Sequence, residues 1–104
     1  MNTHSAGALV FIIEDDADVS RLVASALNEF GLATEEFRSG STAMRRWRHR
    51  PPDLCIVDLG LPDMDGIEVI AGLRGWSRVP IIVLSARDSQ TEKVRALDAG
   101  ADDY

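Results

Sequence analysis

Four apolar residues, Leu54, Cys55, Ile56 and Val57, run without interruption into Asp58, after which Gly60, Pro62 and Gly66 prevent regular structure from continuing. A short unbroken apolar run closed by turn residues reads as a strand buried on both faces, and such strands belong to parallel sheets flanked by helices. The run therefore carries one carboxylate to the carboxyl end of a buried strand. Open parallel sheets place their ligands and chemistry at that edge.

Two further segments repeat the pattern. Residues 9–13, LVFII, end in Glu14, Asp15 and Asp16, and residues 81–84, IIVL, follow Pro80 and end in Ser85. Helical signals lie between these strands. Asp16 or Asp18 can cap a helix whose apolar positions are Val19, Leu22, Val23, Ala26, Leu27 and Phe30, with Gly31 placed to end it. Ala33 to Phe37 is short and half polar, as an edge strand would be. Gly40 and Ser41 open a second helix with Ala43, Met44 and Trp47 as its apolar stripe and Arg45, Arg46, Arg48 and Arg50 facing solvent, ended by Pro51 and Pro52. Ile67, Val69, Ile70 and Leu73 make a third helix stopped by Gly75. Asp88 or Ser89 starts a fourth, carrying Val94 and Leu97 and ended by Gly100. Strand and helix alternate four times, which predicts an α/β domain because parallel neighbours require long, usually helical, crossovers. Residues 1–7 are expected to be an untied tail.

Composition narrows the functions open to such a domain. At 104 residues the chain is one small unit, and a net charge of −6 gives this segment no electrostatic basis for gripping nucleic acid. The arginine run of the second helix reads as a solvated face. Acidic charge instead favours a metal cation or a basic partner surface. Cys55, the single cysteine, lies in an apolar run and reads as a small core residue rather than a nucleophile. No leader and no run of the ~20 apolar residues of a membrane span is present, so no membrane contact and a cytoplasmic location are expected.

If the first strand and the strand bearing Asp58 are neighbours, at least three carboxylates converge. Like charges at that range resist full ionisation unless a cation intervenes, and an oxygen-only donor set favours Mg²⁺. Mg²⁺ among carboxylates beside the Ser85 hydroxyl suggests phosphoryl transfer. No Gly-rich loop with a following Lys is present, so nucleotide binding is not expected. Asp58 can itself be the nucleophile and take the phosphoryl group as an acyl phosphate. Each residue also has a plain structural reading, the acidic trio as helix caps and Ser85 as a turn residue. The specificity lies in the set.

The motifs IIEDD (12–16), VDLGLPDMDG (57–66), VLSA (83–86) and AGADDY (99–104) resemble, in order and spacing, the receiver domains of two-component response regulators. The resemblance covers essentially the whole chain and makes residues 8–104 the receiver. It implies a flavodoxin- and CheY-like three-layer fold with sheet order 2-1-3-4-5, whose fifth strand and fifth helix lie past residue 104. Asp58 then corresponds to the phosphoacceptor. Asp15 and Asp58 would bind Mg²⁺ directly, Gly60 through its backbone carbonyl and Glu14 through water. Ser85 would hydrogen-bond the phosphoryl group, Ala86 would leave room for it, and Tyr104 would be the switch aromatic. The implied donor is a sensor histidine kinase, with the receiver assisting only its own phosphorylation and dephosphorylation rather than acting as an enzyme. The segments DLGLP, LRGWSRVPIIVLSARD and LDAGADDY look like the winged-helix transcription factor subfamily, most of all its Kdp-type potassium-transport regulators, which implies a DNA-binding output in the parent protein.

By the same resemblance a phosphate-clamping Lys would come shortly after Tyr104, beyond this sequence. Without it, Mg²⁺ binding is expected to survive better than switching. Strand 81–84 is expected to be an open apolar edge, favouring a homodimer by strand pairing or swapping. Two other readings remain: a phosphorylation-independent dimerisation module, and a Mg²⁺-dependent phosphohydrolase with Asp58 as nucleophile. The phosphohydrolase would want a second Asp where Gly60 stands.

Overall fold

A computed structural model describes residues 8–84 and 90–103. In chain order it contains β1 (Leu9–Ile13), α1 (Ala17–Glu29), β2 (Ala33–Phe37), α2 (Gly40–His49), β3 (Leu54–Val57), α3 (Gly66–Arg74), β4 (Ile81–Val83) and α4 (Gln90–Ala99). The strands form one parallel sheet in the order β2-β1-β3-β4, as expected, with the half-polar β2 at an edge.

Alternation along the strands divides the core in two. Leu9, Phe11, Ile13, Cys55, Val57, Ile81 and Val83 face α2, α3 and α4, and pack with Ala43, Trp47, Val69, Ile70, Leu73 and Ala96. Val10 and Ile12 face α1 and pack with Ala24, Val23, Leu27, Leu54 and Ile56. Helices thus cover both faces, three on one and α1 on the other.

Local signals set the helix ends. Asp16 caps α1 by accepting from the Asp18 and Val19 N–H groups. At its far end Gly31, at φ 84°, donates to the Asn28 carbonyl while Leu32 donates to that of Leu27, the Schellman arrangement that a left-handed glycine permits. The same pair of bonds closes α4, from Gly100 to Leu97 and from Ala101 to Ala96.

Three expectations are corrected. On α1, Ser20, Val23, Ala24 and Leu27 turn inward, whereas Val19, Leu22, Ala26 and Phe30 are exposed. The helix is rotated because the Ser20 hydroxyl finds a partner in Glu36 Oε1 at 2.8 Å and can be buried at no loss. On α4, Ala96 is buried while Val94 and Leu97 are exposed. The outer edge of β4 is not wholly open: Asp102 N–H donates to the Ile81 carbonyl and Val83 N–H to that of Asp103. Arg74 holds this segment in place by donating to Gly100 O, Ser77 O, Val79 O and the Asp102 carboxylate, which also accepts from Ile81 N–H. The fourth helix is described from Gln90, and its expected start at Asp88 or Ser89 lies outside the described residues, as does the tail 1–7.

Candidate functional site

Parallel register fixes what meets at the carboxyl edge. Ile13 pairs with Val57, and Asp58 N–H donates to the Ile13 carbonyl at 2.9 Å, which places Asp58 beside the start of the β1–α1 loop. One carboxylate oxygen from each of Glu14, Asp15 and Asp58 lies within 4.8 Å of the others. They border a cleft of about 630 Å³ whose other walls are Asp16, Val19, Leu22, Val23 and Leu84.

The three carboxylates differ in setting. Glu14 is buried, Asp58 half-buried and Asp15 exposed. Burial pushes the Glu14 carboxyl up to about 7, helped by its hydrogen bond with Asp15 and the charges of Asp58 and Asp15, and opposed by the Asp16 N–H that donates to it at 3.0 Å. Three converging acidic groups, one of them poised near neutrality, form a site that a divalent cation would relieve. The all-oxygen donor set fits Mg²⁺.

The loop after Asp58 is tied down on both sides. Its Asp63 carboxylate accepts from the Gly40 and Ser41 N–H groups, each at 2.9 Å, and these bonds hold the carboxyl below its usual range. Asp65 caps α3 by accepting from Ile67 N–H. Gly66 brings the start of α3 against the strand end: a Cβ there would lie 2.6 Å from both the Asp58 carbonyl oxygen and the Leu59 Cα. Only glycine permits that approach. Asp58 is thus backed by a helix terminus and hung from β1.

The structure brings Glu14, Asp15 and Asp58 together and leaves Gly60 exposed in the loop two residues beyond Asp58. The predicted Ser85, Ala86 and Tyr104 lie outside the described residues. Sequence reasoning missed the roles of Asp63 and Gly66 and the apolar wall of Val19, Leu22 and Leu84. The only sequence signal for the first two was their density of turn residues. The wall had none, because Val19 and Leu22 read as core.

A family model for the response regulator receiver domain matches residues 10–104. The transcriptional regulatory protein KdpE of Mycobacterium tuberculosis H37Rv is 49% identical over 96 residues, covering 92% of this chain and 42% of that protein. The KDP operon transcriptional regulatory protein KdpE of Escherichia coli K12 is 50% identical over 95 residues, 91% of this chain and 42% of its own length. The chain therefore spans less than half of the curated relatives it matches. The BeF3-activated N-terminal receiver domain of Klebsiella pneumoniae RstA superposes with a TM-score of 0.89 at 31% identity, covering 92% of this chain and 82% of that one.

Proposed function

The chain belongs to the response regulator receiver domain family, and from that premise we propose that Asp58 accepts a phosphoryl group from the phosphohistidine of a sensor kinase. The observation that carries this reading is the convergence of Glu14, Asp15 and Asp58 at the carboxyl end of the parallel sheet. A carboxylate oxygen of Asp58 would attack phosphorus as the bond from phosphorus to the donor imidazole breaks. The imidazole leaves and takes up a proton from solvent, and Asp58 is left as an acyl phosphate. Asp15 and Asp58, with the Gly60 carbonyl and Glu14 through water, would hold Mg²⁺. When bound, the ion supplies charge neutralisation at the transferring oxygens. The Asp58 N–H bond to Ile13 and the backing of Gly66 keep the attacking carboxylate in place. Ser85 and Ala86 would receive the phosphoryl group, and Tyr104 would respond to it.

The apolar wall of Val19 and Leu22 beside the carboxylates suits a kinase helix docking on α1 as its phosphohistidine enters the cleft. The relatives' names make them transcriptional regulators, so a DNA-binding output is proposed for the parent protein, at work in the cytoplasm. No described helix is long and apolar enough to cross a membrane. Homodimerisation through the sheet edge remains part of the proposal, with Asp102 and Asp103 already occupying part of β4.

A small phosphodonor with Mg²⁺, applied to the wild type and to Asp58→Ala and read by intact mass, tests the reading. A hydrolysable adduct lost in the variant supports it. Multiple turnover of an external phosphate ester by the wild type, lost in the variant, would overturn it in favour of a phosphohydrolase, and no adduct on the wild type would overturn it in favour of a phosphorylation-independent interaction module.

A further inference from the structure

A second cavity opens at the opposite edge of the sheet, where strands begin. It measures about 380 Å³ and is lined by Trp47 and Arg48 from the last turn of α2, Pro51 after it, and Trp76, Ser77, Arg78 and Val79 from the α3–β4 connection. The volume falls within the range of small-ligand pockets.

Three features of the lining go beyond what packing needs. Trp76 is an exposed aromatic, 45% accessible, standing edge-on to the buried ring of Trp47 at 6.2 Å between centroids. The Arg48 guanidinium lies 5.7 Å from the Trp76 ring centroid. Stacking on a ring fixes a guanidinium while leaving its in-plane N–H groups free for a bidentate oxyanion. Arg48 and Arg78 appear in none of the ion pairs among the described residues, on a molecule of net charge −6. Finally, the Trp47 indole N–H is the one buried side-chain polar atom among the described residues without a hydrogen-bond partner, and its ring is 1% exposed. A buried donor left unpaired costs about 1–3 kcal/mol.

We propose that the Trp47–Trp76–Arg48–Arg78 cavity is a binding site for a small aromatic oxyanion, an aryl carboxylate or aryl phosphate. The ring lies against Trp76, Pro51 and Val79, and the anion meets Arg48 and Arg78. Apolar walls and donors occur together here, so a ring without charge or an anion without a ring engages only half of the lining. The site is separate from Asp58 and does not depend on phosphorylation.

Both tryptophans of the chain line this cavity, so tryptophan emission and the two indole N–H resonances report on it. Phenylacetate and phenyl phosphate are titrated against the metal-free protein, with benzyl alcohol, acetate and inorganic phosphate as controls. At least one aryl oxyanion should change the emission saturably and move the Trp47 indole proton, with each control at least about tenfold weaker. Response to phenylacetate alone identifies a carboxylate ligand, to phenyl phosphate alone a phosphate, and to both a site that reads the shared chemistry. Arg48→Gln and Arg78→Gln, at exposed positions that leave the core intact, should each weaken binding about tenfold, as expected for loss of a charged hydrogen bond. Asp58→Ala should bind like the wild type. No saturable response to either aryl oxyanion, or equal affinity in both arginine variants, would overturn the proposal.

Discussion

The two faces of the sheet are packed unequally. On one side Phe11 lies 4.7 Å from Phe37 and 5.7 Å from Trp47, ring centre to ring centre, and three helices close over them. On the other, Val10, Ile12 and Ala24 are, among the described residues, the fully buried members of the cluster under α1, and Leu22 on that helix and Phe30 at its C-cap are 72% and 82% exposed. The same strands serve both faces, so strand propensity cannot explain the difference. What differs is the number of described helices that pack on each face, three against one. Among the described elements, stability should therefore reside mainly on the three-helix face, while α1 also walls the acidic cleft.

The largest expected effect tests the first half of that contrast. Phe11→Ala should cost about 3–5 kcal/mol, because it opens a void between two aromatic rings held by elements that cannot all collapse inward. Val10→Ala, one residue away on the α1 face, should cost clearly less in the same denaturant titration. Equal losses would mean that the two faces are equally consolidated. Gly66→Ala comes next, at about 1–3 kcal/mol by analogy with overpacking. Its methyl would press on the Asp58 carbonyl and Leu59 Cα, so the phosphorylation rate should fall along with stability. A variant that loses stability but phosphorylates normally would show that α3 does not position Asp58.

The cleft between the faces gives the next effect. Glu14 titrates near 7 in the folded protein against 4.5 for the ordinary group, because burial and neighbouring acids disfavour its charge. Between those values the folded state keeps a proton that the unfolded state has lost. The contribution of Glu14 to metal-free stability should therefore be greatest below 4.5, fall as pH rises towards 7, and flatten beyond, with a slope no steeper than about 1.4 kcal/mol per pH unit. Glu14→Gln should remove that slope. Mg²⁺ favours the ionised carboxylate, so its apparent affinity should increase with pH up to about 7. Thermal melts with and without Mg²⁺ across this range check both statements, and a Glu14→Gln protein with an unchanged slope would refute the assignment.

How much of this was legible in the sequence follows the same division. Unbroken apolar runs ending in Glu14, Asp15 and Asp58 needed only strand continuity to be read, and parallel order then brought those carboxylates together. Helix orientation was less accessible. α1 carries more apolar residues at helical spacing than one sheet face can cover, and the choice fell on Ser20 because of Glu36, sixteen positions away in the chain. On α4 the small Ala96 packs where Val94 and Leu97 were expected. Asp63, reaching back to Gly40 and Ser41, and Gly66, pressed on Asp58, act through tertiary contacts that no local pattern encodes.

The smallest effect is the most discriminating for the α1 face. Leu22→Ser replaces an exposed side chain on the cleft wall, and exposed substitutions away from special features usually stay within about 0.5 kcal/mol. In the monomer, then, the melting temperature should barely move, while phosphotransfer from a cognate kinase should slow and phosphorylation by a small donor should not. That split separates a docking role from a chemical one, since the small donor needs the carboxylates but not the wall. If Leu22→Ser instead lowers the melting temperature, and the loss grows with protein concentration, the wild-type face is being covered by a second copy whose binding stabilises the fold by mass action. The unequal packing of the two faces would then be a property of the isolated chain, made up on association.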